Sequence, residues 1–220
     1  HIPMILGPDK NRLSKRHGAT SVNRYRAMGY LPEALVNFLS LLSWSSESGD
    51  EMLSLERLVD EFDFSRVSKS AAVFDLKKLN WMNGNYIRNL DEKRLADLFE
   101  EYLKEAGFAP DPGQKLMLVD LFREKVERLA EIRDKAAFLF ADELTIEKPE
   151  DRNMVTSQAA KKVYTAFLEE AGQVEEWTSS AIFPLIKKVQ KKSGGKGKEL
   201  WMPLRIALTG EKHGPDVGKT

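Results

Sequence analysis

The chain has 220 residues, 42% hydrophobic and 31% charged, with no cysteine and three histidines. That balance belongs to a soluble globular protein and excludes intrinsic disorder. The missing cysteines exclude disulfides, thiolate nucleophiles and cysteine-held zinc, and the scattered His1, His17 and His213 give no metal-ligand spacing, so no metal site is expected.

The net charge is zero but unevenly spread. Residues 1–30 carry six Lys/Arg against one acid, residues 181–220 nine against three, and the middle nineteen against thirty. A polyanion touching two separated places suits basic ends around an acidic middle, and so does chance segregation of solvated charge. No apolar run approaches the ~20 residues that span a bilayer. No signal peptide is expected, and the expected location is cytoplasmic without a membrane partner.

In chain order, Ile2 to Leu6 read as a short buried strand and Gly7-Pro8-Asp9 as a turn. Residues 9–20 lack an apolar period and read as a loop. Residue 1 is not Met and a strand opens the chain, so the expectation is a fragment whose first part lies elsewhere. From Pro32, suited to a first helical turn, a helix is expected to about Trp44. Ser54 caps a short helix, and Asp75 caps another through Met82. Asn83-Gly84-Asn85 reads as a helix stop. Asp91 caps a helix closed by Gly107, and Pro110 to Gly113 read as a linker. Further helices are expected over 114–128, 129–140, 157–171 and 179–192, with a last short one from Pro203. Nothing after residue 20 alternates with period two. The fold class is therefore mainly α with a short α/β remnant at the start.

The sharpest chemical signal is Arg12-Leu13-Ser14-Lys15-Arg16. Phosphoryl chemistry needs cations that can close on a triphosphate as charge develops. A flexible lysine beside a small serine supplies one, although an isolated basic pentamer is usually a solvated loop. The longer stretch from Ile5 to Ala19 resembles the class I aminoacyl-tRNA synthetase signature loop, commonly K-M-S-K-S, in its bacterial-type glutamyl-tRNA synthetase form. Arg12 stands at the first Lys, Leu13 at the Met, Lys15 at the second Lys and Arg16 at the last Ser. Four further stretches resemble the same family in the same order: Gly29 to Leu39, Phe62 to Ser70, Phe74 to Gly84, and Leu200 to Gly210.

The resemblance implies three parts: the end of a catalytic domain over 1–25, a stem-contact helical domain over 26–110, and an all-α anticodon-binding domain over 111–220. It implies a glutamate–tRNA ligase using ATP with Mg2+, this chain being its C-terminal, tRNA-binding part. Lys15 is then the catalytic residue, with Lys15, Ser14 and Arg12 on the ATP phosphates. The implied partners are glutamate, ATP and the tRNA for glutamate, with tRNA for glutamine left open, and the implied state is a monomer. No H-I-G-H-like stretch occurs in the 220 residues, so the chain alone is expected to be inactive in adenylate formation. The alternative is an isolated tRNA-binding or protein-interaction helical module without catalysis.

The tRNA-binding candidates are Arg205, Gly214 and Val217, by position in the family pattern, and Lys187 and Lys191. Each has an ordinary counterpart. Lys187, Lys188, Lys191 and Lys192 read equally as one solvated face or as phosphate contacts. Arg205 reads as an anticodon contact or as a helix-anchoring ion pair. Phe74, Trp81 and Met82 read as core rather than RNA-stacking residues. Gly194 to Lys198 lacks the strand and the GK[ST] pattern of a phosphate-binding loop.

Overall fold

The computed structural model describes residues 3–14, 21–141, 143–213 and 215. Over these the chain is mainly α-helical, as its periodicity predicts. It divides into two compact units, His1–Val119 with Arg123–Arg133, and Asp120–Phe122 with Asp134–Thr220.

In the first unit, β1 (Ile5–Leu6) pairs in parallel with β2 (Ala72–Val73), Ile5 opposite Ala72 and Leu6 opposite Val73. β2 is a strand the sequence reading did not expect, since two residues are too few to show a period. The helices are α1 (Val22–Ala27), α2 (Pro32–Ser40), α3 (Leu55–Glu61), α4 (Leu76–Arg88) and α5 (Glu92–Glu105). Pro32 opens α2, which ends four residues before the expected Trp44. The side chains of Ser54, Asp75 and Asp91 each accept a first-turn backbone N–H, satisfying donors the helix itself leaves orphaned.

The expected stop at Asn83-Gly84-Asn85 is corrected: α4 runs straight through it. Asn83 is fully buried, and its amide serves three backbone groups. Its Oδ1 accepts from Leu31 N–H at 2.8 Å. Its Nδ2 donates to Glu127 C=O at 2.5 Å and to Gly29 C=O at 3.3 Å. With these partners the side chain does not compete for its own backbone, and local propensity yields to tertiary contact. Gly29 sits beside this hub at φ +89°, and a Cβ there would lie 2.3 Å from the backbone N of Ala130. Tyr25, Tyr30, Leu35, Phe38, Phe74, Leu79 and Met82 form the main core, with Ile5 and Leu13 packed against it. A smaller cluster joins Trp44, Leu53 and Leu58.

α6 (Pro112–Phe122) starts with a full capping box between Asp111 and Gln114 and ends at Phe122, short of the expected 128. The single helix expected over 129–140 is three pieces. A 3-10 turn at Leu129–Glu131 leads into α7 (Ile132–Ala136), and a second 3-10 turn follows at Ala137–Leu139.

The second unit contains α8 (Pro149–Thr156), α9 (Gln158–Ala171), α10 (Ser179–Ser193) and α11 (Lys198–Thr209). α11 begins five residues before the expected Pro203, which lies inside it. An internal proline costs ~3 kcal/mol. Burial of Leu200, Leu204 and Ile206, each at most 2% exposed, offsets this at roughly 1.5–3 kcal/mol per side chain. Leu200 and Leu204 join Val163, Ala166, Leu185, Ile186 and Val189 in one core.

Candidate nucleic-acid interface

The described part of the signature segment is a tight hairpin. Leu13 N–H donates to Ile5 C=O at 2.9 Å, Gly7 N–H to Asn11 C=O at 2.7 Å, and Lys10 N–H to Gly7 C=O at 3.0 Å. Leu6 and Arg12 face each other in an antiparallel bridge. Asp9 closes the turn by accepting Asn11 N–H at 3.1 Å, and Lys10 takes the left-handed conformation at φ +60°. Successive residues on extended backbone point to opposite sides. Leu13 is thus half-buried against the Tyr25 cluster, while Arg12 is exposed. The folded arm holds one guanidinium in solvent at its end. Lys15 and Arg16 lie outside the described residues.

In the second unit, α10 carries Lys187, Lys188, Lys191 and Lys192 and no carboxylate. The four are not equivalent. Lys192 Nζ lies 2.5 Å from Glu170 and 3.3 Å from Glu169, and Lys188 Nζ lies 3.6 Å from Glu170, all across to α9. The Glu170 residue is 5% exposed. Its carboxyl is held below the usual range, first by the hydrogen bond from Lys192 and then by the Lys192 and Lys188 charges. Lys192 is raised in turn by Glu170 and Glu169. Lys187 and Lys191 are exposed, and among the described residues neither forms an ion pair. Lys187 Nζ instead sits 4.7 Å from the ring centroid of Phe183.

The end of α11 is latched by backbone contacts. Arg205 Nη1 donates to Lys212 C=O at 3.4 Å. Thr209 Oγ1 donates to Arg205 C=O at 2.8 Å. Gly210 ends the helix at φ +77°, where a Cβ would come within 3.3 Å of Thr145 C=O. Lys212 Nζ lies 2.9 Å from Oδ1 of the buried Asp151 on α8, and that hydrogen bond, then the charge, raises the ammonium pKa.

The chain matches the model of the class I tRNA synthetase (E and Q) catalytic domain over residues 1–81. It matches the anticodon binding domain model over residues 80–220, well over half its length. The chain belongs to the anticodon binding domain family. It is also a homologue of glutamate–tRNA ligases. It is 42% identical to that of Heliobacterium modesticaldum over 223 residues, covering 99% of this chain and 45% of the relative. It is 41% identical to that of Finegoldia magna over 221 residues, with 99% and 45% covered. Among solved structures it is similar to the glutamate tRNA ligase of Elizabethkingia meningosepticum, crystallised in complex with its amino acid. There the TM-score is 0.87 at 26% identity, covering 100% of this chain and 47% of that one. The glutamate-tRNA synthetase of Elizabethkingia anophelis gives 0.81 at 28% identity, covering 100% and 46%. The chain spans about half the length of the curated relatives it matches.

Within this anticodon-binding family member, the sequence-named residues fall into separate places. Arg12, Leu13 and Ser14 lie on the hairpin of the first unit. Lys187 and Lys191 share one exposed face of α10, and Arg205 turns to the backbone after α11. Gly214 and Val217 lie outside the described residues. For Arg205, the expected helix-anchoring ion pair does not appear among the described residues; its side chain donates to the Lys212 carbonyl. Phe74 and Met82 are core as expected, but Trp81 is 45% exposed. The sequence reading missed Phe183. The available signal was its place one position off the stripe of partly buried Ile182 and buried Leu185, Ile186 and Val189. Among the described residues no group of three or more His, Cys, Asp or Glu could hold a metal ion, and no helix is long and apolar enough to cross a membrane.

Proposed function

We propose that this chain is the tRNA-holding part of a glutamate–tRNA ligase acting in the cytoplasm as a monomer. One observation carries the reading: the catalytic-domain and anticodon-binding family models match end to end along the chain. In this reading residues 1–25 close the catalytic domain, 26–110 contact the tRNA stem and 111–220 hold the anticodon arm.

ATP supplies the energy that activates glutamate's carboxyl for transfer to the tRNA 3′ end. The chemistry of the hairpin fits a triphosphate: Arg12 stands exposed at its end, with Ser14 and Lys15 following. These three residues would hold the phosphates, Lys15 by a point charge that favours the charge developing as pyrophosphate leaves. Mg2+ would arrive on the nucleotide. Arg205, Gly214 and Val217 would meet unpaired anticodon bases, which can be splayed out and read at their edges. The substrates are glutamate, ATP and the tRNA for glutamate, with the tRNA for glutamine as the competitor to test.

The test is binding of purified chain to tRNA transcripts. The tRNA for glutamate is expected to bind more tightly than one for an unrelated amino acid, with log K falling linearly in log salt. The chain is expected to catalyse no pyrophosphate exchange. Equal affinity for all transcripts, or exchange by this chain, would overturn the proposal.

A further inference from the structure

We infer that the exposed face of α10 built from Phe183, Lys187 and Lys191 is a stacking platform for an unpaired RNA base and its flanking phosphates. The inference rests on the tRNA-holding reading and assigns it a place on the molecule.

Three observations meet on this face. First, α10 holds four lysines and no acid, yet α9 ties down just two of them. Lys188 and Lys192 are committed to Glu169 and Glu170, leaving Lys187 and Lys191, one turn apart, exposed to solvent. Second, Phe183 lies one turn before Lys187 and is 61% exposed, although Leu185, Ile186 and Val189 on the same helix are at most 4% exposed. Third, the Lys187 ammonium already rests on that ring at 4.7 Å. A bound strand can exchange this contact for two better ones. The base takes the ring, since stacking is open to every base. The ammonium swings to a phosphate, where its charge is fully used. Residues at i, i+4 and i+8 stand ~6 Å apart along one side of a helix, so the ring and two cations form a single line.

The chemistry selects RNA over other occupants. A lipid surface needs a broad apolar helix face, but Leu185, Ile186 and Val189 are spent in the core of the unit. An acidic peptide would use the two cations and leave the ring without a purpose. Stacking needs an unpaired base, so the site takes a loop or single strand rather than a duplex.

The experiment compares the full 220-residue chain with F183A, F183W and K187Q/K191Q. The probes are an anticodon stem-loop RNA, a fully paired RNA duplex and vesicles of anionic lipid. F183A is expected to weaken stem-loop binding about 5- to 100-fold with an unchanged salt slope and melting temperature. K187Q/K191Q is expected to flatten the slope by about 1 to 2. The added indole of F183W is expected to be quenched by the stem-loop and not by the duplex. Stem-loop binding by F183A equal to that of the parent chain overturns the platform while leaving tRNA binding intact. Equal loss on duplex and stem-loop, or vesicle binding that depends on Phe183, overturns it too. A parent chain that binds no RNA overturns both this inference and the proposal beneath it.

Discussion

Asn83→Ala removes a buried side chain that organises three separate backbone segments. Leu31 is the N-cap residue of α2, so its N–H has no partner within the helix. Asn83 Oδ1 accepts it at 2.8 Å, and Leu31 is 2% exposed, so water does not replace the lost oxygen. A stranded buried donor costs ~1–3 kcal/mol, and the lost bond to Glu127 C=O adds ~1 kcal/mol. Gly29 C=O loses less, because Leu129 N–H still donates to it at 2.9 Å. The sum is about 2–4 kcal/mol, a large part of the ~5–15 kcal/mol that keeps a domain folded. Urea titration followed by circular dichroism measures the loss, and amide hydrogen exchange at Leu31 locates it. A loss below about 1 kcal/mol, with Leu31 N–H still protected, refutes the hub.

Two further outcomes follow from titrating groups. All five tyrosines are raised above the ordinary phenol value by burial, Tyr30 to about 12 and Tyr25, Tyr86, Tyr102 and Tyr164 in the same direction. A raised phenol pKa stabilises the fold fully below the unfolded value of ~10, and that contribution is lost as pH climbs from there toward the folded values. Phenolate absorbance should therefore stay low through pH ~10 and rise together with unfolding; a reversible native phase near 10 contradicts this. Glu170 has the opposite sign. Its depressed pKa contributes stability above the unfolded value of ~4.3, lost as pH falls through the lower folded value. Lys192→Met should move the Glu170 carboxyl titration, read by carbon NMR, upward toward 4.3 and start acid loss at higher pH. Superimposable titrations in the two proteins refute the Lys192 assignment.

The sequence was most legible where the cause is local. Ser54, Asp75, Asp91 and Ser157 were read as helix starts, and each accepts a first-turn N–H. A capping side chain and its target lie within three residues, so nothing distant can outvote them. The failures sit where distant groups decide. Asn83-Gly84-Asn85 carries turn chemistry, but the Asn83 amide is claimed by segments near residues 29, 31 and 127. Pro203 carries start chemistry, but the apolar face around it holds the helix through. The candidate interface divides the same way. The basic hairpin stands out as a motif, whereas four lysines on α10 look identical in sequence. Their sorting depends on how α9 is rotated against α10, which places Glu169 and Glu170 beside two of them.

The parallel pairing of β1 with β2 has a kinetic consequence. Ile5 and Ala72 are far apart along the chain, and the strands are joined by few bonds, among them Ala72 N–H to Met4 C=O at 3.1 Å and Phe74 N–H to Leu6 C=O at 2.8 Å. So few bonds cannot meet the entropy of closing so long a loop. The helical core containing Phe38, Phe74 and Met82 must first bring β2 into position, and β1 adds afterwards. The hairpin that presents Arg12 is therefore expected to gain amide-exchange protection late in folding and to lose it early. A change deep among the helices can then disarm it without touching any residue near Arg12.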